Sequence, residues 1–207
     1  MLKRKKNIKE FTKSYNVKKK IKRINDSMTF SLLNECINNY INTIKNEKKI
    51  NTLLKIKKIR LSNFPSHISE NIVKYAILKK YKIMPHWDTK TGDLVINKIP
   101  KSIKCEIKGS LDLSNSLSSF GPNEIWDRIY FVDGVKNNKK KYKVYEIKLS
   151  NCSNIWKNIK INKKQTFSDQ CKQKRRPRIT FKKLQIQLGK HCKIIFNGYL
   201  TELDNTI

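Results

Sequence analysis

The 207 residues carry 47 Lys and Arg against 16 Asp and Glu, a formal net charge of +31 at pH 7. A domain of this size usually needs a net charge of only about 2–8 in magnitude for solubility, so such a surplus repels itself unless a polyanion neutralises it. Nucleic acid is the expected partner and an anionic membrane surface the weaker alternative. With 38% hydrophobic residues, eight Phe, eight Tyr and three Trp, the chain can build a packed core and does not read as a disordered tail.

Only seven of the basic residues are Arg, while Lys, Ile and Asn, which AT-rich codons specify, crowd the chain. Part of the charge is therefore attributable to composition. The start, MLKRKKNIKE, has no apolar signal segment and no run approaches the length of a membrane span, so a soluble intracellular protein is expected. Five scattered cysteines without a Cys-x-x-Cys pair argue against disulfides and structural zinc, and His67, His86 and His191 are too few and too scattered for a zinc hydrolase.

Residues 1–27 form a basic arm, with KRKK at its start and KKKIKR from Lys18 to Arg23, either solvated or tracking phosphates. Residues 28–61 read as a helical extension. Phe30, Leu33, Ile37, Tyr40, Ile41 and Ile44 give a helical period over about 28–45, with Asp26 or Ser27 as N-cap, and a second helix is expected around 50–60. From residue 62 to the end the pattern is that of one core. Asn63-Phe64-Pro65-Ser66 breaks the chain, and SHISENIVKYAILKKYK reads as a helix capped at Ser66, with Glu70 on the face of Val73 and Ile77. The period then changes from 3.6 to 2. Extended runs are expected over 92–97, 103–108, 129–135 and 143–149, with turns at Ile99-Pro100 and Asn137-Asn138. A basic, polar stretch leads to a helix over about 178–188 and a last strand in HCKIIFNGYL.

In IKCEIKG, alternation puts Ile103, Cys105 and Ile107 on one face and Lys104, Glu106 and Lys108 on the other. Twelve residues separate Asp93 from Glu106, which suits two antiparallel strands whose carboxylates converge. Two hard oxygen ligands on rigid strands suit Mg²⁺, and a lysine two residues on can polarise an attacking water and offset charge on a phosphoryl group. The same spacing recurs: Asp133 is followed after twelve residues by Glu146-Ile147-Lys148. By spacing the two sets are equal, and the set that is not used is a solvated cross-strand ion pair.

The pattern Asp-x12-Glu-x-Lys resembles the PD-(D/E)XK nuclease superfamily, from the Glu70 helix through Gly92-Asp93-Leu94 to Glu106-Ile107-Lys108. The run SSFGPNEIWDRIYFVDG from Ser118, with the later NIWKNIKIN and DQCKQKRRPRI, looks like type II restriction endonucleases. The resemblance covers about residues 62–190 and implies a restriction-endonuclease-like α/β core, a central mixed sheet flanked by helices, with the N-terminal helical extension added. It favours Asp93, Glu106 and Lys108 as the catalytic set, with Glu70 leaning towards the metal or, alternatively, pairing with Lys74. It also implies a Mg²⁺-dependent, sequence-specific double-strand DNA endonuclease leaving 5′-phosphates, acting as a homodimer on palindromic sites, with a cognate methyltransferase protecting host DNA.

Three of the seven Arg fall within four positions of the KQKRRPR cluster, so Lys174, Arg175, Arg176 and Arg178 are candidate DNA contacts, the planar guanidinium matching phosphate or guanine; a non-specific basic linker is the alternative. Ser119, with Ser118 and Gly121, could let backbone approach DNA beside the metal. Trp126 and Trp156 read as core aromatics. Two other functions stay open on the residues alone: a structure-specific repair or junction nuclease, and a non-catalytic basic nucleic-acid-binding protein.

Overall fold

Thr29 opens the first helix, α1 (Phe30–Leu53): its hydroxyl accepts from the Leu32 amide at 3.3 Å, and Leu33, Ile37, Tyr40 and Ile44 form the buried stripe. The computed structural model describes residues 28–54, 58–88, 92–111, 117, 119–134 and 141–204. The basic arm over 1–27, the caps expected at Asp26 or Ser27, Ser118 and the turn at Asn137-Asn138 lie outside the described residues. Where two helices were expected there is one, running to Leu53, because Asn46-Glu47-Lys48-Lys49 is polar but holds no Gly or Pro to break it; residues 58–61 are not helical. The chain then folds back along α1. Asn51 pairs with the Ile59 backbone (2.7 and 3.0 Å), Glu47 accepts from the Ser62 amide at 2.8 Å, and the Tyr40 hydroxyl donates to the Ser62 carbonyl at 3.0 Å.

Helix α2 (Ser66–Tyr81) starts one residue after the N-cap position, which Pro65 occupies without a side-chain hydrogen bond, so Ser66 is its first residue rather than its cap. It ends at Lys82 in the left-handed conformation, φ 55°. The strands follow as β1 (His86–Asp88), β2 (Gly92–Ile96), β3 (Ile103–Ser110), β4 (Arg128–Asp133), β5 (Lys141–Ile147) and, after three short helices, β6 (Cys192–Tyr199). They form one sheet in the order β1-β2-β3-β4-β5-β6, with β3 and β4 parallel and the other neighbours antiparallel. The expected runs match β2 to β5 within about two residues. β1 was not expected, since three residues are too few to show a period.

The three short helices are α3 (Asn154–Lys157), α4 (Phe167–Lys172) and α5 (Phe181–Leu188). The first two fall in the polar stretch and are started by caps: Ser153 before α3, and Thr166 before α4, where Asp169 completes a reciprocal capping box. The helix expected from Arg178 begins at Phe181, capped by Thr180.

Each face of the sheet has its own core. On one, α1 and α2 cover Leu94, Ile96, Cys105, Ile107, Tyr130, Val132, Tyr142 and Val144. On the other, Ile129, Phe131, Tyr145 and Ile147 meet Trp126, Trp156, Phe120 and Phe167, together with Phe181, Leu184 and Leu188 of α5. The two tryptophans are core aromatics as expected, crossing edge to face at 5.4 Å. The result is the α/β layering of a restriction-endonuclease-like core, helices on both faces of a mixed sheet. No helix among the described residues is long and apolar enough to cross a membrane.

Gly109 sets the distance between the layers near the carboxylates. A Cβ there would lie 2.6 Å from Ser69 Cβ on α2 and 2.7 Å from Phe64 Cδ1, so only glycine lets the helix approach this closely. Gly109→Ala must push α2 off β3, and overpacking of this kind costs about 1–3 kcal/mol. Urea unfolding should show a lowered midpoint with an unchanged slope.

Candidate active site

The register of β2 against β3 decides which side chains meet. Leu94 pairs with Cys105, and one step further along the ladder Asp93 comes beside Glu106. The Ile107 amide donates to Asp93 Oδ2 at 2.7 Å, fixing that carboxylate against β3. Lys108 Nζ lies 2.5 Å from Glu106 Oε1, both side chains being 11% exposed. Alternation along β3 is as expected, with Cys105 and Ile107 in the α2 core and Glu106 and Lys108 turned away from it.

Glu70 enters from the first turns of α2. Its Oε2 accepts from the Trp87 indole of β1 at 3.1 Å, so the short strand missing from the sequence reading orients this carboxylate. It does not pair with Lys74, whose ammonium stacks on the Trp87 ring, 4.2 Å from the centroid. A fourth acid, Glu124, arrives on the loop between β3 and β4, with Oε2 3.7 Å from Lys108 Nζ. Pattern gave no hint of Glu124: it sits in no periodic element, and its one signal is the Gly-Pro-Asn turn before it.

All four carboxylates and Lys108 line one cavity of about 1000 Å³. Their electrostatics are strained. Burial pushes the Glu106 carboxyl up to about 7; Lys108 pulls it back in part, while the charges of Asp93 and Glu124 add to the rise. Burial also raises Asp93, against the Ile107 hydrogen bond and Lys108. Glu70 is raised by burial and then by the charge of Asp93, against its hydrogen bonds to Trp87 and Ser66. Poorly solvated carboxylates crowded around one ammonium form a site with unmet demand for positive charge.

The second set, Asp133, Glu146 and Lys148, does not converge. Tyr130 pairs with Glu146, whereas Asp133 pairs with Lys143, so the two acids stand three residues apart along the ladder. They also face opposite sides of the sheet, Glu146 beside Tyr130 and Asp133 in line with Phe131. Glu146 is 1% exposed and accepts from the Tyr81 hydroxyl (2.5 Å), the Tyr130 hydroxyl (2.9 Å) and Arg128 Nη1 (3.0 Å), with Lys148 Nζ at 3.5 Å. It is a satisfied internal ion cluster that holds the end of α2 to the sheet.

Of the basic candidates, Arg178 lines the cavity, as do Ser119, Arg60 and Lys183. Lys174, Arg175 and Arg176 are exposed and lie outside it, on the same segment. A backbone bond from the Phe120 amide to the Pro177 carbonyl, 3.1 Å, ties that segment to the loop carrying Ser119 and Glu124. Arg60 and Lys183 were not legible as site residues among so many cations; the fold-back onto α1 and the cap of α5 bring them there.

The geometry has counterparts among known proteins. A profile of the family described as Bsp6I restriction endonuclease matches residues 32–188, a span that contains every cavity acid and Arg178. The type II restriction enzyme Bsp6I of Bacillus sp. (strain RFL6) is 30% identical over 141 residues, which cover 68% of this chain and 75% of that protein. No solved structure matches. The chain belongs to the Bsp6I restriction endonuclease family and is an endodeoxyribonuclease of the type II restriction kind.

Proposed function

We propose that this restriction endonuclease cuts double-stranded DNA at a specific sequence with Mg²⁺ held by Asp93 and Glu106, and that Lys108 orients the attacking water, leaving 5′-phosphate and 3′-hydroxyl ends. The observation that carries the reading is the convergence of Asp93, Glu106 and Lys108 in one cavity, with Asp93 fixed to β3 through the Ile107 amide.

Among the described residues no group of three or more His, Cys, Asp or Glu forms a ready-made metal cage. Mg²⁺ does not ask for one, since it keeps several waters and binds through one or two carboxylates plus phosphate oxygens. The donor set fits on that basis: two hard carboxylates, raised by burial and short of positive charge. Bound there, the ion supplies Lewis-acid polarisation of the phosphate and a more acidic water. The protein supplies the rest. Lys108 donates to the attacking water and offsets charge developing on the phosphate, while Glu70, held by Trp87, adds negative potential behind Asp93. Ser119 and Arg178 contact the DNA inside the cavity, and Lys174, Arg175 and Arg176 hold phosphates beyond it. A homodimer presents two such cavities to a palindrome, and a methyltransferase reading the same site protects host DNA.

Glu106→Ala and Lys108→Ala should each lower plasmid cleavage by at least about 10³-fold, on the scale of losing a principal electrostatic group, with DNA binding retained in gel shifts. Glu146→Ala should instead destabilise the fold by about 3–5 kcal/mol, because it leaves Arg128 buried without its partner. At low temperature the folded Glu146→Ala protein should still cut; a folded but inactive Glu146→Ala beside an active Glu106→Ala would reverse the assignment.

Glu106 also predicts how metal-free protein responds to pH. Its folded pKa of about 7 lies above the ordinary 4.5, so between those values the folded state binds more protons than the unfolded one and stability falls as pH rises. Metal-free Glu106→Gln should therefore be more stable than wild type at pH 8, by roughly 3 kcal/mol, with the difference gone below pH 4.5. Calorimetry in EDTA across that range reads it directly.

Arg175→Ala and Arg176→Ala should each weaken binding to all sequences alike and reduce the salt slope by about one unit per lost phosphate contact. The rate of the bound complex should not change. Filter binding across a salt series, with single-turnover cleavage, separates the two.

A further inference from the structure

Phe120 and Glu124, on the connection from β3 to β4, close over the lysine that β3 presents. Lys108 Nζ meets Glu106 Oε1 at 2.5 Å and Glu124 Oε2 at 3.7 Å, and the Phe120 ring lies 5.7 Å from the ammonium. A lysine ammonium rides on a flexible four-carbon stem and takes its direction from its surroundings. Glu106 alone cannot set that direction, since it is two residues away on the same strand and moves with it. Glu124 approaches from a separate element that is itself fixed.

The fixing is visible atom by atom. Glu124 Oε2 accepts from the Gly121 amide at 2.7 Å, and a Cβ at Gly121 would lie 2.4 Å from Glu124 Cδ and Oε1, so glycine is what lets the carboxylate rest on the backbone. The Glu124 carbonyl accepts from Asn151 Nδ2 at 2.7 Å, and Asn151 Oδ1 accepts from the Trp126 amide at 3.3 Å. Phe120 is fully buried, edge-on to Trp156 and Phe167, with its amide bonded to Pro177. Each element of Phe-Gly-Pro-Asn-Glu thus has a purpose around one ammonium: a ring beneath it, a bare backbone for the carboxylate, a turn, and the carboxylate.

We propose that Glu124 is a positioning residue for Lys108: resting on the Gly121 amide, it gives the ammonium a second counter-charge from a separate element, which keeps it at the cavity when Glu106 turns from the lysine to another ligand. This rests on the reading of Asp93, Glu106 and Lys108 as the cutting site. The short Lys108–Glu106 pair competes with any ligand that needs the Glu106 oxygens, and without Glu124 the lysine has no second anchor to move to. With it, the lysine can be shared between two anchors while Glu106 is engaged elsewhere.

Glu124→Gln keeps the acceptor for Gly121 and removes the charge. Single-turnover plasmid cleavage by the full chain with Mg²⁺ should slow 10- to 100-fold, while DNA affinity and Ca²⁺ binding measured by calorimetry stay within about twofold. Added to Lys108→Gln, Glu124→Gln should change the residual rate by less than about threefold, because its effect passes through the lysine. Gly121→Ala, which displaces the same carboxylate, should give the same slowing. A wild-type rate in Glu124→Gln or in Gly121→Ala overturns the proposal, as does a full further loss in the double variant. Ca²⁺ binding weakened tenfold or more also overturns it, since Glu124 would then be a metal ligand. If Lys108→Gln itself cuts at the wild-type rate, the cutting site is misassigned; if Lys108→Gln is inactive and Glu124→Gln normal, only the role of Glu124 fails.

Discussion

The pairing of Leu94 with Cys105 is the constraint on which the site depends. Once β2 and β3 are in that register, Asp93 stands beside Glu106, and the Ile107 amide donates to Asp93 Oδ2. A slip of one residue would turn Glu106 and Lys108 into the apolar layer under α2 and bring Cys105 and Ile107 into the cavity. The apolar residues that pack against α2 therefore also fix the position of the carboxylates. Burial of Leu94, Cys105 and Ile107, all close to fully covered, holds the register.

The second requirement is that elements from both faces of the sheet reach the same place. Glu70 comes from α2, on the side of the first core, while Glu124, Phe120 and Arg178 come from the second. Gly109 permits the first approach and Gly121 the second, each by leaving out a Cβ where another side chain passes. The two ion clusters of the interior divide the work. Glu146 with Arg128, Tyr130 and Tyr81 has its acceptors filled and ties α2 to β4 and β5. The cavity acids remain short of positive charge, which is the condition under which a cation binds.

Much of this was legible in the residues. Alternation in IKCEIKG assigned Glu106 and Lys108 to one face, and the change of period after Tyr81 marked where strands begin. What spacing did not carry was register. Asp93/Glu106 and Asp133/Glu146 have the same separation, yet the first pair falls opposite across its hairpin and the second is offset by three residues. Register depends on which apolar residues pair and on how many residues the turn takes up, and a count between two acids holds neither. Trp87 and Glu124 were hidden for another reason: they lie in a three-residue strand and in a loop, where no period exists. The Arg cluster was only partly informative, since of its members Arg178 alone lines the cavity.

The charge of the chain takes on a definite form against this geometry. A net +31 draws a polyanion from any direction and does not say where it is cut. The few acids are more local: Glu70, Asp93, Glu106 and Glu124 share one cavity, whose lining also holds Arg60, Arg178 and Lys183. A phosphate arriving there meets both the cations and the carboxylates of the lining. The carboxylates repel it unless a further cation lies between them, so these acids make the entry of a phosphate into the cavity conditional on that cation. A strongly basic surface can then hold DNA throughout, while on the proposed reading hydrolysis is confined to the cavity where these acids meet.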